Sequence, residues 1–298
     1  MTKRTISSPR QTTKENWIVP PRKVDNRSTN HHADDDDDDD DERMIHRAEV
    51  AFVSNDYSTS LKLAQKVLQQ NQSSSSSWEQ ETLHTSYIQN NMEYRLRLSS
   101  IDTTNNDSST VQDRASAILL QSLVEEDRAL LLDKEEKEYL QCFFEYYEHH
   151  PMPLTLVLLF LQFLMERKDT VAAFELGFNV VDCLREAQSS SSRTANDGIA
   201  DDIVSTLVNH ILPSCRDDYS RLLQELSQSR CCVAVHQWND MDKPFNTYLS
   251  FLPAIENHLL EEHDGGSVVP LLSPSCLHEC RTHVQEMIRV EEEETKKK

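Results

Sequence analysis

Two cysteines and a histidine near the C-terminus have the spacing that metal chemistry asks for. In Cys276-Leu-His278-Glu-Cys280-Arg-Thr-His283, the side chains of Cys276, Cys280 and His283 fall at i, i+4 and i+7. One helix face would then carry two thiolates and an imidazole. Zinc completes its tetrahedron with a fourth ligand, which Cys231, Cys232 or His236 would have to supply from a distance. The competing reading packs two small apolar cysteines inward and leaves the histidines solvated. It is the reading adopted, so no metal and no cofactor is expected. His31-His32 ahead of Asp34 to Asp41 would hold divalent cations only weakly, and an acidic tail attracting basic partners is the expected role. Tyr146-Tyr147 with His149-His150 would line a groove, although tyrosines at a helix end more often belong to core and rim. Ser8-Pro9 is a phosphoacceptor dipeptide of almost no specificity.

The rest of the catalytic repertoire is missing from the sequence. Only four glycines occur, Gly177, Gly198, Gly265 and Gly266, and scattered in this way they cannot cradle a phosphate. There is no His-Glu-x-x-His, no Gly-x-Ser-x-Gly and no pair of cysteine knuckles. The chain is expected not to be an enzyme.

The elements that would position any site are helices arranged around His149 to Arg185. Pro151 and Pro153 set the start of the first, Leu154 to Met165, which is almost wholly apolar. After Glu166-Arg167-Lys168-Asp169 a second apolar helix, Val171 to Leu184, returns. An apolar run of about 13 residues falls short of the ~20 that span a bilayer, so the first arm reads as a helix buried on all sides. Scarce glycine, abundant Leu, Glu and Gln, and little strand-like alternation argue an all-α fold. It would be an irregular, tetratricopeptide-like array of helical hairpins or an α-solenoid, with a disordered N-terminal tail.

Four regions are expected: a polar and acidic tail over 1–43, a helical adaptor domain over 44–226, a C-terminal helical region over 227–290, and a charged tail over 291–298. In the first hairpin, Asn55-Asp56 makes a turn, Ser58 caps the next helix, and Leu61, Ala64 and Leu68 share one face. Lys168 to Phe174 repeats this theme loosely. Trp78 to Leu98 reads as a helix, Val111 to Val124 as an amphipathic helix, and Glu125 to Tyr147 as another. Ile199 to Leu212 is a helix stopped by Pro213; Tyr219 to Leu226, Phe245 to Leu260 and Ser275 to Val290 follow. A short strand is expected only at Cys231 to Val235.

The chain has 298 residues and a net charge of −21. Such a surface repels nucleic acid and anionic lipid and attracts a basic groove. Seven cysteines, an odd number mostly in apolar helical contexts, and the lack of an N-terminal apolar segment lead us to expect reduced thiols in the cytosol.

Ala48 to Tyr57 with Leu61 to Leu68 is followed by Arg114 to Asp127 (RASAILLQSLVEED), Phe144 to Tyr147, a proline-bearing link and the leucine-rich helix 154–165. Val208 to Cys215 (VNHILPSC) comes last. In order and spacing, residues 44–226 resemble the peroxisome assembly protein 26 family. The resemblance implies an adaptor without catalysis. Its helical domain would bind a heterohexameric AAA ATPase that extracts the ubiquitinated import receptor from the peroxisomal membrane. The family carries a transmembrane anchor, whereas no run of ~18 apolar residues occurs here. The chain would therefore reach the cytosolic face of that membrane peripherally, through another protein. The alternative is a cytoplasmic, tetratricopeptide-like scaffold for a different complex. In either case the expected partner-binding residues lie in the first hairpin: Phe52, Tyr57 and Leu61.

Overall fold

The computed structural model describes residues 36–70, 82–87, 92–98, 110–126, 133–190, 198–228, 245–260 and 271–297. Helix dominates these residues, and the all-α class holds. The elements run α1 (Asp36–Val53), α2 (Tyr57–Gln70), β1 (Thr82–Tyr87), β2 (Met92–Leu98), α3 (Val111–Glu125), α4 (Asp133–His149), β3 (Pro151–Met152), α5 (Leu154–Glu166) and α6 (Thr170–Ser190). Then come α7 (Ile199–Thr206), a π turn (Leu207–Ile211), α8 (Leu212–Ser214), α9 (Tyr219–Gln228), α10 (Tyr248–Leu260) and α11 (Pro274–Lys297). Asp37–Lys298 forms one compact unit.

Two helical hairpins share one turn. Ser54, Asn55 and Asp56 donate backbone N–H bonds to the carbonyls of Val50, Phe52 and Ala51 at 3.0, 3.0 and 2.9 Å; Arg167, Lys168 and Asp169 donate to Phe163, Met165 and Leu164 at 3.0, 2.9 and 2.9 Å. Both turns place a non-glycine residue in the left-handed region, Asn55 and Lys168, each at φ 60°. The last bond reaches back five residues, closing the carbonyls at the helix end. An aspartate then caps the next helix in each case: Asp56 accepts from Thr59 N–H at 3.1 Å and Asp169 from Ala172 N–H at 3.4 Å. Behind the turns, Ser60 with Ala64 and Ala173 with Gly177 put small buried residues at the same places along α2 and α6.

The central hairpin is as expected, but its encased arm is the second. Every residue from Val171 to Val180 in α6 is buried, while α5 exposes Thr155 and Gln162. Helix α6 packs against α5, α7, the π turn, α9 and β1. Beneath it Phe143, Phe144, Tyr147, Phe160 and Phe163 form an aromatic core, with neighbouring rings 5.0–5.9 Å apart. Arg167 is buried between Glu136 at 3.0 Å and the Leu123 carbonyl at 2.8 Å, tying the end of α5 to α3 and α4.

Several expectations are corrected. Residues 82–87 and 92–98 are an antiparallel hairpin, pairing Thr82 with Arg97 through Tyr87 with Met92, in place of a helix over 78–98. The reason is legible in β2, where Met92, Tyr94, Leu96 and Leu98 alternate with Glu93, Arg95 and Arg97. Arg97 and Leu98 pair in parallel with Pro151 and Met152. The tail boundary at 43 moves, since α1 begins at Asp36; carboxylates at a helix N-terminus are stabilised by its dipole. In the C-terminal helical region, α10 and α11 belong to the same compact unit as α2 to α9. Beyond 290 the chain is helix to Lys297, held by Arg216 pairing with Glu291 at 2.5 Å and with Glu294. Pro213 does not stop its helix. Lacking an N–H, it is accommodated by a π turn in which Leu212 N–H bonds to the Leu207 carbonyl. The strand expected at Cys231 to Val235 lies outside the described residues.

Candidate interaction surface

The first hairpin is fixed to the body by polar contacts beneath its apolar ones. The Ser122 hydroxyl donates to Ser60 Oγ at 3.1 Å, and Ser60 donates to the Ala48 carbonyl at 3.0 Å. This buried relay joins α3, α2 and α1 where small residues let the backbones approach. On the outer side Arg114 of α3 bonds Glu49 at 2.6 Å and Glu42 at 2.9 Å. Those two carboxylates hold its guanidinium above its ordinary pKa in spite of partial burial.

The three expected partner-binding residues separate. Leu61 is wholly buried with Ile45, Ala48, Ala64 and Leu68, and cannot meet a partner. Its place in the Leu61–Ala64–Leu68 stripe is the reason: that stripe is the core face of α2. Phe52 and Tyr57 sit half-buried at the turn, rings edge to face at 5.6 Å, with the Tyr57 hydroxyl donating to Asn55 Oδ1 at 2.9 Å. Beside them the structure exposes two valines that sequence reasoning passed over, Val50 at 53% and Val53 at 73%. Spaced i, i+3 on the side of α1 away from Ile45 and Ala48, they were legible as a second, outward apolar pair. Asp56 is exposed too, but its carboxylate is committed to Thr59, whose side chain and N–H hold it below the usual range.

Among the described residues, no further ligand joins the two thiols of the cysteine-histidine helix. Cys276 and Cys280 approach to 3.9 Å between sulfurs, and the Cys276 thiol points to the Asp201 carbonyl at 3.6 Å. Burial pushes both thiols up, away from the thiolate that a metal needs. His283 Nε2 is buried without a hydrogen bond. Among the described residues, no three His, Cys, Asp or Glu side chains converge on a point where an ion would sit. Cys231, Cys232, His236, His31 and His32 lie outside the described residues.

Tyr146 and Tyr147 are core rather than groove. Tyr147 is fully buried, its hydroxyl donating to Asp113 Oδ1 at 2.9 Å and accepting from the Ser116 hydroxyl at 3.0 Å. Tyr146 stacks on His150 at 4.2 Å, and burial lifts its phenol to about 12. One titratable pair was invisible in the sequence: His258 of α10 meets Asp182 of α6 at 2.5 Å, its ring over Phe178 at 4.7 Å. Arg185 reinforces the contact by donating to the carbonyls of His258 and, at 2.6 Å, Leu259. The pair braces two helices, with most of its surface withdrawn from solvent.

No family model, no curated protein and no solved structure matches this chain. Among the described residues no helix is long and apolar enough to cross a membrane.

Proposed function

We propose that the chain is a non-catalytic adaptor of peroxisome biogenesis. Through its helical hairpins it recruits the AAA ATPase complex that recycles the import receptor. The observation that supports this best is the pair of hairpins with a common turn, Val50–Asp56 and Phe163–Asp169, both lying within residues 44–226, the stretch that resembles the peroxisome assembly protein 26 family. Helical hairpins of this kind present side chains from a rigid frame, which suits binding of a folded partner. Membrane contact would be peripheral, at the cytosolic face.

The test is a pull-down of the tagged chain from its native cells with a non-hydrolysable ATP analogue present. Recovery of the peroxisomal AAA ATPase pair is the expected result. The absence of both subunits, with peroxisomal matrix import unchanged when the chain is removed, would overturn the proposal. The second reading, a tetratricopeptide-like scaffold for another complex, draws on the same hairpins and predicts a different dominant partner in that experiment.

A further inference from the structure

The chain has two Ser-Pro dipeptides, Ser8-Pro9 and Ser273-Pro274. The dipeptide alone specifies little, but the second has a setting that adds to it. Pro274 opens α11, and Ser273 caps it: its Oγ accepts from Cys276 N–H at 3.3 Å and its carbonyl from Leu277 N–H at 3.0 Å. A residue before proline is held to extended backbone, the form in which a kinase groove takes its substrate. Ser273 is half-buried, and Pro274 and Ser275 after it are exposed. The same serine reaches across to α7. Its N–H donates to Asp201 Oδ1 at 2.9 Å, its hydroxyl donates to Asp201 Oδ2, and the Cys276 thiol points to the Asp201 carbonyl at 3.6 Å. The start of α11 is thus tied to the first turn of α7 through one serine and one aspartate.

We infer that Ser273 is a phosphorylation site for a proline-directed kinase, and that its phosphate releases the start of α11 from α7. The kinase passes the γ-phosphoryl group of ATP to Ser273 Oγ. The new O–P bond forms as the bond to the β,γ-bridging oxygen breaks; ADP leaves, and the hydroxyl proton goes to the kinase's catalytic aspartate. Fraying of the helix end, which costs little, brings the hydroxyl within the kinase's reach. The product puts a charge of about −1.5 to −2 where the donor stood. Asp201 Oδ2 then has lost its partner and faces a like charge. The phosphate oxygens still accept from Cys276 N–H, and a helix N-terminus favours an anion, so α11 keeps its cap. Modification therefore exchanges a bond between two helices for one within a helix. This holds whichever partner the adaptor recruits.

The test treats the full-length protein with ATP and a purified proline-directed Ser/Thr kinase, maps phosphate by mass spectrometry, and compares amide hydrogen exchange before and after. The Ser8→Ala variant, which retains one Ser-Pro dipeptide, is expected to take up phosphate at Ser273. The Ser273 amide and those of Asp202 to Val204 should then exchange at least about tenfold faster, the equivalent of one hydrogen bond to a charged group. The amides of Cys276 and Leu277 should stay as protected as before. In Asp201→Asn, whose side-chain amide can donate to the phosphate, the same modification should leave exchange in α7 unchanged. Failure of Ser273 to take up phosphate, whatever happens at Ser8, would overturn the inference. So would a phosphorylated protein with unaltered exchange at Ser273 and in α7, or an Asp201→Asn variant that responds as the parent does.

Discussion

Gly177 lies midway along the encased helix α6, where alanine is ordinarily preferred. A Cβ at this position would come 2.5 Å from Leu207 Cδ2, 2.9 Å from its Cγ and 3.2 Å from its Cδ1. Gly177→Ala gains about 1 kcal/mol from helix propensity. Against that, overpacking a filled core costs about 1–3 kcal/mol. Leu207 has little room to give, being fully buried and opening the π turn that accommodates Pro213. The variant is therefore expected to lose up to about 2 kcal/mol in urea unfolding. The double variant with Leu207→Ala supplies the check. Leu207→Ala alone should cost about 2–5 kcal/mol. In its presence Gly177→Ala should become neutral or stabilising, a coupling of at least about 1 kcal/mol. A single Gly177→Ala variant more stable than the parent, or additive effects in the double, would refute the close approach of α6 and the π turn.

Other outcomes follow from the same packing. Leu61→Ala should cost about 2–5 kcal/mol in denaturant, as a core truncation does, while Val53→Ala should stay within about 0.5 kcal/mol; the reverse order would place the hairpin's faces wrongly. Burial and the charge of Asp113 raise Tyr147 well above its ordinary value, and burial with Asp113 lifts Tyr146 to about 12. Both keep their protons in the folded state beyond the unfolded value near 10, so stability from them is complete below pH 10 and lost as pH rises above it. Tyr147→Phe should flatten that alkaline decline in thermal melts, and an unchanged slope would count against the burial described. Protein purified without added metal should contain no stoichiometric zinc, and a chelator should leave its melting temperature unchanged; zinc at one equivalent would restore the Cys276–Cys280–His283 site.

The hairpins were readable because their signals are local. Asn55-Asp56 and Lys168-Asp169 mark turns, and Pro151 and Pro153 mark a helix start. The exchange of roles between α5 and α6 was hidden by chemistry at a distance: Glu175, Asn179 and Asp182 interrupt the apolar run of α6, yet all three are buried. Asp182 is met by His258, 76 residues away, and no spacing rule reaches that far. The β hairpin was lost for another reason, since the period-two alternation of Met92–Leu98 was absorbed into a single helix expected over Trp78 to Leu98. In the candidate surface, Phe52 and Tyr57 announce themselves as aromatics at a turn. Leu61 belongs to the stripe that also holds Ala64 and Leu68, and that stripe already assigned it to the core.

Asp113 links two things that usually melt separately. With Thr110 it forms a capping box, Thr110 Oγ1 accepting from Asp113 N–H at 3.1 Å and Asp113 Oδ2 from Thr110 N–H at 3.2 Å. Its other oxygen accepts from the buried Tyr147 hydroxyl at 2.9 Å. Helix ends normally fray on their own, independently of the protein's global opening. Here releasing the first turn of α3 would strip a phenol in the aromatic core of its acceptor. The start of α3 is therefore bound into the cooperative unit of the core, and the amides of its first turn should exchange with solvent about as slowly as those of α5 and α6.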